Sequence, residues 1–364
     1  MNAPLSYYVS ELRTFSMRYA QRFRTIRVII FQTVVIILLT FFLGEIVLRI
    51  YNNYVPSFIF YSSSYERFRG KPFADDWNFN LNSQGFKDEE FSEKRNDTYR
   101  ILGIGDSFSF GVVPYEYNYL TLIESQFHQE NVGVELLNMG VPSLSPKDYL
   151  SLLMKEGLVL QPDMVLLSFF IGNDFEVSKR KLREYSYIAS LLHYIINIQD
   201  KYEGQVIHGK GKYCDDCPFF DQEQYLKLEF SRSSIYLVDN KSFPEKLYNA
   251  LYYLKEIIDI CKKHNIKLVV AIIPDELQIN QDLLREVKET YNPSIVSNKW
   301  NITLPNRTLS NELDKLGVDN IDLYEYFAGS AQQLYRPRDT HWNIAGNQLA
   351  ANIIQEHIRK HITH

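Results

Sequence analysis

Four short runs of this chain are apolar almost without interruption: Arg100–Gly105 (RILGIG), Val134–Asn138 (VELLN), Met164–Phe170 (MVLLSFF) and Lys267–Pro274 (KLVVAIIP). A strand with one face in water alternates apolar and polar residues, whereas a run without alternation is covered on both faces. Helical patterns separate these runs at Tyr117–Gln129, Ser145–Glu156, Phe243–His264 and Ile344–His361, and a shorter fifth strand falls near Val318–Leu323. Strands that alternate with helices are expected to build an α/β fold around a parallel sheet.

A second constraint precedes the sheet. Val28–Gly44 (VIIFQTVVIILLTFFLG) is 17 residues without a charge, and apolar character resumes after Glu45. That length is near the lower edge of what crosses about 30 Å of hydrocarbon as a helix. Glu45 and Arg49, four apart, would share a helix face near the interface. No small-x-small cleavage pattern follows, so a single transmembrane helix fits better than a signal peptide. Arg13, Arg18, Arg22, Arg24 and Arg27 precede the span, while only Arg49, Arg67 and Arg69 follow closely. The positive-inside bias then leaves the N-terminus cytoplasmic and the rest of the chain extracytoplasmic, in a periplasm or at a cell surface.

The expected organisation has four parts. Residues 1–27 form a cytoplasmic segment with a short amphipathic helix on the inner leaflet, and 28–50 form the membrane anchor. Residues 51–97 form a stalk and extended arm, and 98–364 the folded domain. Within that domain an insert at about 175–243 leaves the carboxyl edge of the sheet, where α/β ligand sites lie, and is a candidate lid. Its Tyr-rich stretch, Tyr185 to Tyr202, is expected to cover the site.

A net charge of −5 gives no footprint for nucleic acid. Cys214 and Cys217 form one lone C-x-x-C, which without a second ligand pair is a local disulfide or two free thiols sooner than a zinc site; Cys261 reads as a small core residue. The histidines are scattered singly, so neither a metal nor a cofactor is expected, and the chain does not say which protein partners it has.

Acyl transfer by serine needs a nucleophile, a base, a group that orients the base, and donors for the oxyanion. Each has a candidate just past a strand. Ser107 follows the first, with Gly105 to allow a tight turn and Asp106 to cap the next helix. Gly140 (LLNMGVPS) follows the second and offers a bare backbone N–H, and Asn173 (FFIGNDF) follows the third with a side-chain amide. His341 opens the last helix, with Asp339 two residues before it (RDTHWNIAG).

In this order the four pieces resemble the SGNH, or GDSL-type, hydrolase superfamily: GDSF at Ser107, MG at Gly140, GND at Gly172–Asp174 and DTH at Asp339–His341. The resemblance covers about Arg100 to Ile354. It implies a three-layer α/β/α, flavodoxin-like fold, with Ser107 as nucleophile, His341 as base and Asp339 orienting it. The Ser107 N–H, the Gly140 N–H and the Asn173 amide would line the oxyanion hole. The superfamily more usually carries its acid three residues before the histidine, where this chain has Arg338. The D-x-H-W form is similar instead to the branch that includes alginate-type O-acetyltransferases.

The expected function is a membrane-anchored serine esterase that removes O-acyl groups from an envelope glycan or a small ester. An O-acyltransferase working on an exported polysaccharide through the same acyl-enzyme is the alternative, and a non-catalytic glycan-binding protein the third reading. Water and a sugar hydroxyl compete for one intermediate, so acceptor binding separates the first two.

Overall fold

The computed structural model describes residues 5–54, 70, 72–176, 186–196, 211–291 and 299–362. Its centre is a five-stranded parallel sheet of β1 (Tyr99–Ile104), β2 (Val134–Asn138), β3 (Met164–Phe170), β4 (Lys267–Ile273) and β5 (Asp319–Asp322). The spatial order is β2-β1-β3-β4-β5, the flavodoxin-like order. Its direction of winding reverses between β1 and β3, and the crevice at their carboxyl ends is where such sheets bind ligands.

Alternate residues of each strand feed two separate cores. Leu102, Ile104, Val165, Leu167, Val270 and Ile272 face one side, and Ile101, Met164, Leu166, Val269 and Ala271 face the other. In chain order the helices that position the site are α1 (Leu5–Tyr54), α2 (Ser107–Phe110), α3 (Tyr119–Gln129), α4 (Pro146–Leu152), α5 (Tyr187–Ile196), α6 (Gln222–Arg232), α7 (Phe243–Lys263), α8 (Gln281–Tyr291), α9 (Leu304–Lys315) and α10 (Ile344–Arg359). Apolar residues of α4, α7, α8 and α9 pack in the first core, and those of α3 and α10 in the second. The result is the three-layer α/β/α sandwich that the motifs imply.

Two regions bear on the expected organisation. The segment before the span and the span itself are continuous: α1 is one helix of 50 residues, and no proline or glycine falls between Leu5 and Leu43 to interrupt it. Its stretch Arg24–Tyr51, 28 residues with mean hydropathy 2.5, is long and apolar enough to cross a bilayer. The Tyr-rich segment, where described, packs on α1. Glu45 accepts hydrogen bonds from the Ser186 hydroxyl (2.9 Å) and the Tyr187 (2.9 Å) and Ile188 (3.1 Å) amides at the start of α5. Residues 177–185 and 197–210 of the candidate lid lie outside the described residues. The stretch 211–243 contributes Tyr225, Leu226, Ile235 and Tyr236 to the first core.

Residues 72–97 lie against the domain. Phe86 and Lys87 are fully buried, and the Lys87 ammonium donates to the carbonyls of Gly111 (2.9 Å) and Val113 (2.5 Å) while pairing with Asp76.

Candidate active site

The corner that presents Ser107 follows from how β1 ends. Gly105 sits so close to its neighbours that a Cβ would lie 2.2 Å from the Ser109 hydroxyl and 3.1 Å from the Ser168 Cβ. Close approach, not a positive φ, is what requires glycine there. Asp106, fully buried, caps α2 by accepting the Phe108 N–H (2.9 Å) on one oxygen, and takes the Asn173 amide (2.9 Å) on the other. Burial pushes its carboxyl above the usual range, against the pull of those two donors. Ser107 is the first residue of α2, a position whose backbone N–H has no intrahelical acceptor.

A helix of four residues leaves most of its carbonyls without helical partners, and side chains supply them. The Ser109 carbonyl accepts from Asn118 (2.9 Å) and Asn138 (2.8 Å), that of Phe110 from Asn118 (3.0 Å), and that of Gly111 from Lys87.

The corner that presents His341 is a tight loop. Tyr335 and Trp342 pair across its neck, and the Arg336 N–H donates to the His341 carbonyl (3.0 Å). Inside it Arg338 takes φ = 48°, so the residue three before the histidine makes the turn and Asp339 faces inward. The Asp339 carboxylate, buried, meets His341 Nδ1 at 2.6 Å, and His341 Nε2 meets the Ser107 hydroxyl at 2.8 Å. Phe108 of α2 packs on both the His341 ring (5.2 Å between centroids) and the Trp342 ring (4.9 Å), which clasps the two corners together.

Ser107, His341, Asp339 and Asn173 therefore share one locus. One Asn173 amide proton goes to Asp106, and an amide carries a second. Gly140 is at the same edge, but its N–H donates to the Asn138 side chain (2.9 Å). A Cβ at Gly140 would lie 2.2 Å from the Phe110 nitrogen, so this glycine lets β2's exit pass directly behind α2. The geometry gives Gly140 a packing role, and its donor is already engaged.

Sequence reasoning missed Arg336. Its guanidinium, itself buried, donates to the second Asp339 oxygen at 2.9 Å, so that carboxylate is held from both sides. Its position three residues before Asp339 was the available signal. Asp174 was quoted only within the motif; it is buried, accepts both from Tyr149 (3.0 Å) and from the Phe170 amide (2.9 Å), and burial raises its carboxyl well above the usual range.

Residues 230–364 match the family described as "SGNH hydrolase-like domain, acetyltransferase AlgX"; this stretch holds β4, β5, Asp339 and His341. Solved structures similar to the chain include three at low identity. The lipase/acylhydrolase from Enterococcus faecalis is 14% identical, with 72% of this chain and 97% of that one covered and a TM-score of 0.39. The psychrotrophic esterase EstA from Pseudoalteromonas sp., inhibited by monoethylphosphonate, is 12% identical, with 73% and 100% covered and a TM-score of 0.40. A member of the lipolytic protein G-D-S-L family from Veillonella parvula DSM 2008 is 13% identical, with 71% and 96% covered and a TM-score of 0.38. Among curated proteins none matches the chain in sequence. Residues 230–364 are thus similar to the SGNH hydrolase-like domain of the AlgX acetyltransferase type.

Proposed function

We propose that this SGNH hydrolase-like chain is a membrane-anchored serine esterase that opens ester bonds through an acyl-enzyme on Ser107. The fold and the matched domain support an acyl hydrolase or an acetyltransferase. The observation that carries the finer reading is the continuous line from Asp339 through His341 to Ser107, with contacts of 2.6 and 2.8 Å.

On that line His341 Nε2 takes the hydroxyl proton as Ser107 Oγ bonds to the acyl carbon, and returns it to the departing alcohol. Asp339 holds the ring with Nδ1 protonated, and Arg336 keeps Asp339 in place. The Ser107 N–H and the free proton of the Asn173 amide are the donors for the oxyanion. Deacylation reverses the sequence with water. Arg24–Tyr51 would anchor the enzyme with its domain outside the cytoplasm, where O-acylated envelope glycans are the substrates at hand.

A second reading shares every step up to the acyl-enzyme: an O-acetyltransferase in which a sugar hydroxyl replaces water. The match of residues 230–364 to an acetyltransferase domain favours it, as does D-x-H-W.

The test is hydrolysis of an activated acetate ester by the full chain in detergent, beside Ser107→Ala. A burst of released alcohol stoichiometric with protein, absent from the variant, is the expected result. Equal turnover by the two proteins would overturn the reading. Added glycan acceptors that collect the acetyl group at the expense of free acetate would select the transferase.

A further inference from the structure

The C-x-x-C pair takes no part in the chemistry above, yet it lies against the base. Cys214 and Cys217 are joined in a disulfide, with Cα atoms 5.4 Å apart. Between them Asp215 Oδ1 accepts the Ile344 N–H (3.1 Å), the first residue of α10 and three beyond His341, and also the Tyr213 hydroxyl (2.5 Å). The Cys214 carbonyl accepts from Arg336 Nη2 (3.4 Å), and the Arg336 guanidinium lies 5.5 Å from the centre of the Tyr213 ring. Just downstream, the Phe219 and Phe220 amides donate to the Pro337 (3.2 Å) and Arg338 (3.1 Å) carbonyls. One disulfide-closed turn of the insert thus grips the loop of Asp339 and His341 at both ends, more than 120 residues away in sequence.

We propose that Asp215 and Arg336, held by the Cys214–Cys217 bridge, are positioning residues for the catalytic base, and that the bridged form of this loop is the active one. The proposal rests on the Ser107–His341 reading above. Asp215 holds the first amide of α10 beside the Asn343 cap, and so ties the point where the chain leaves the loop of His341 to the bridged turn. Arg336 spans from the bridged loop to Asp339, so a displacement of that loop moves the carboxylate against which the imidazole is aligned. A misplacement of about 1 Å in such a line is enough to cost about a hundredfold in rate.

Among the described residues, the charged and titratable groups around the line come from five segments. Asp339 and Arg336 lie on its own loop, Asp106 faces His341 from the β1 corner, and Arg232 of α6 faces Asp106. Glu276, after β4, faces Asp339, as do Tyr213 and, through Tyr213, Asp215 from the bridged loop. Arg336 is the cation in direct contact with Asp339. Without it the carboxylate would hold the imidazolium proton more tightly, and the base would stay blocked to higher pH.

The experiment is the rate at which a fluorophosphonate labels the full chain in detergent, followed from pH 5 to 9. Labelling forms the Ser107 Oγ–phosphorus bond, expels fluoride and delivers the hydroxyl proton to His341 Nε2, so it reads the line without a choice of substrate. The variants are Cys214→Ser with Cys217→Ser, Asp215→Ala, Arg336→Gln and Arg336→Lys. The paired serine variant and Asp215→Ala are expected to label about ten- to a hundredfold more slowly at neutral pH, with melting temperature held within a few degrees. Arg336→Gln is expected to move the acid limb of the profile to higher pH, and Arg336→Lys to return it. If wild type labels no faster than Ser107→Ala, the acyl-transfer reading itself falls. If wild type labels and the variants match it in rate and limb, or lose rate only in step with folded fraction, the positioning role is overturned.

Discussion

Ser107 and His341 stand 2.8 Å apart, yet the chain holds them in opposite ways. The corner that presents Ser107 is closed mostly at shorter range: Asp106 caps α2, and Asn118 and Asn138, 9 and 29 residues from Ser109, take the short helix's carbonyls, while Asn173 reaches Asp106 across 67. The base corner is made by distant chain: α10 and Arg336 are tied to Asp215 and Cys214, 129 and 122 residues away. A short helix can be finished by polar side chains at hand. The loop of Asp339 and His341, which ends before α10 begins, is braced by a second segment. The difference predicts where each corner breaks.

The largest effect should come from Ser107→Ala, with acyl turnover down by about 10⁴-fold or more and an unchanged melting temperature; residual burst kinetics would move the nucleophile elsewhere. Next is the contrast between two buried carboxylates. Asp339→Asn should cost about 10⁴-fold in kcat by favouring the wrong imidazole tautomer. Asp106→Asn, which caps a helix and orients an amide, should cost less. Equal losses would erase the distinction between the corners. Asn173→Ala should lower kcat by about 10²- to 10³-fold with KM nearly constant, as removal of an oxyanion donor does; a change confined to KM would instead make Asn173 a substrate contact.

The smallest effect is on stability. Burial raises the Asp88 carboxyl, beside the nucleophile corner, to about 7, and the Glu276 carboxyl, beside the base corner, to about 7. Each folded-state value lies above its unfolded one, so the folded state holds more protons between about pH 4 and 7. Stability is therefore full below that window and falls as pH rises through it. Melting temperature should decline by a few degrees from pH 5 to 8, and Glu276→Gln should flatten part of that slope; an unaltered slope would count against it.

The sheet was legible almost to the residue because buried parallel strands leave no polar alternation to blur them: Val134–Asn138 and Met164–Phe170 are bounded as read. Ser107, Asn173, Asp339 and His341, which the fold brings to one locus, were legible as residue types that acyl transfer calls for, set where Ser107 opens α2, just past β3, and in the loop before α10. Gly140 was placed correctly at the edge, but its N–H is taken by Asn138, a side chain two residues back that no spacing rule had singled out. Arg336, Asp215 and Lys87 were not legible as site-builders. Asp339 excepted, their partners are carbonyls, an amide, a hydroxyl and the Asp76 carboxylate brought in by the fold, and a charged residue in a polar stretch reads the same whether solvated or buried.

Glu45 and Ser186 are separated by 141 residues. A ribosome adding about 5–20 residues per second makes one roughly 7–28 s before the other. The carboxylate near the end of α1 is thus in place long before α5 exists, and α5 must dock onto a helix already laid down. Order of arrival, set by position along the chain, makes α1 the template and the insert the late addition.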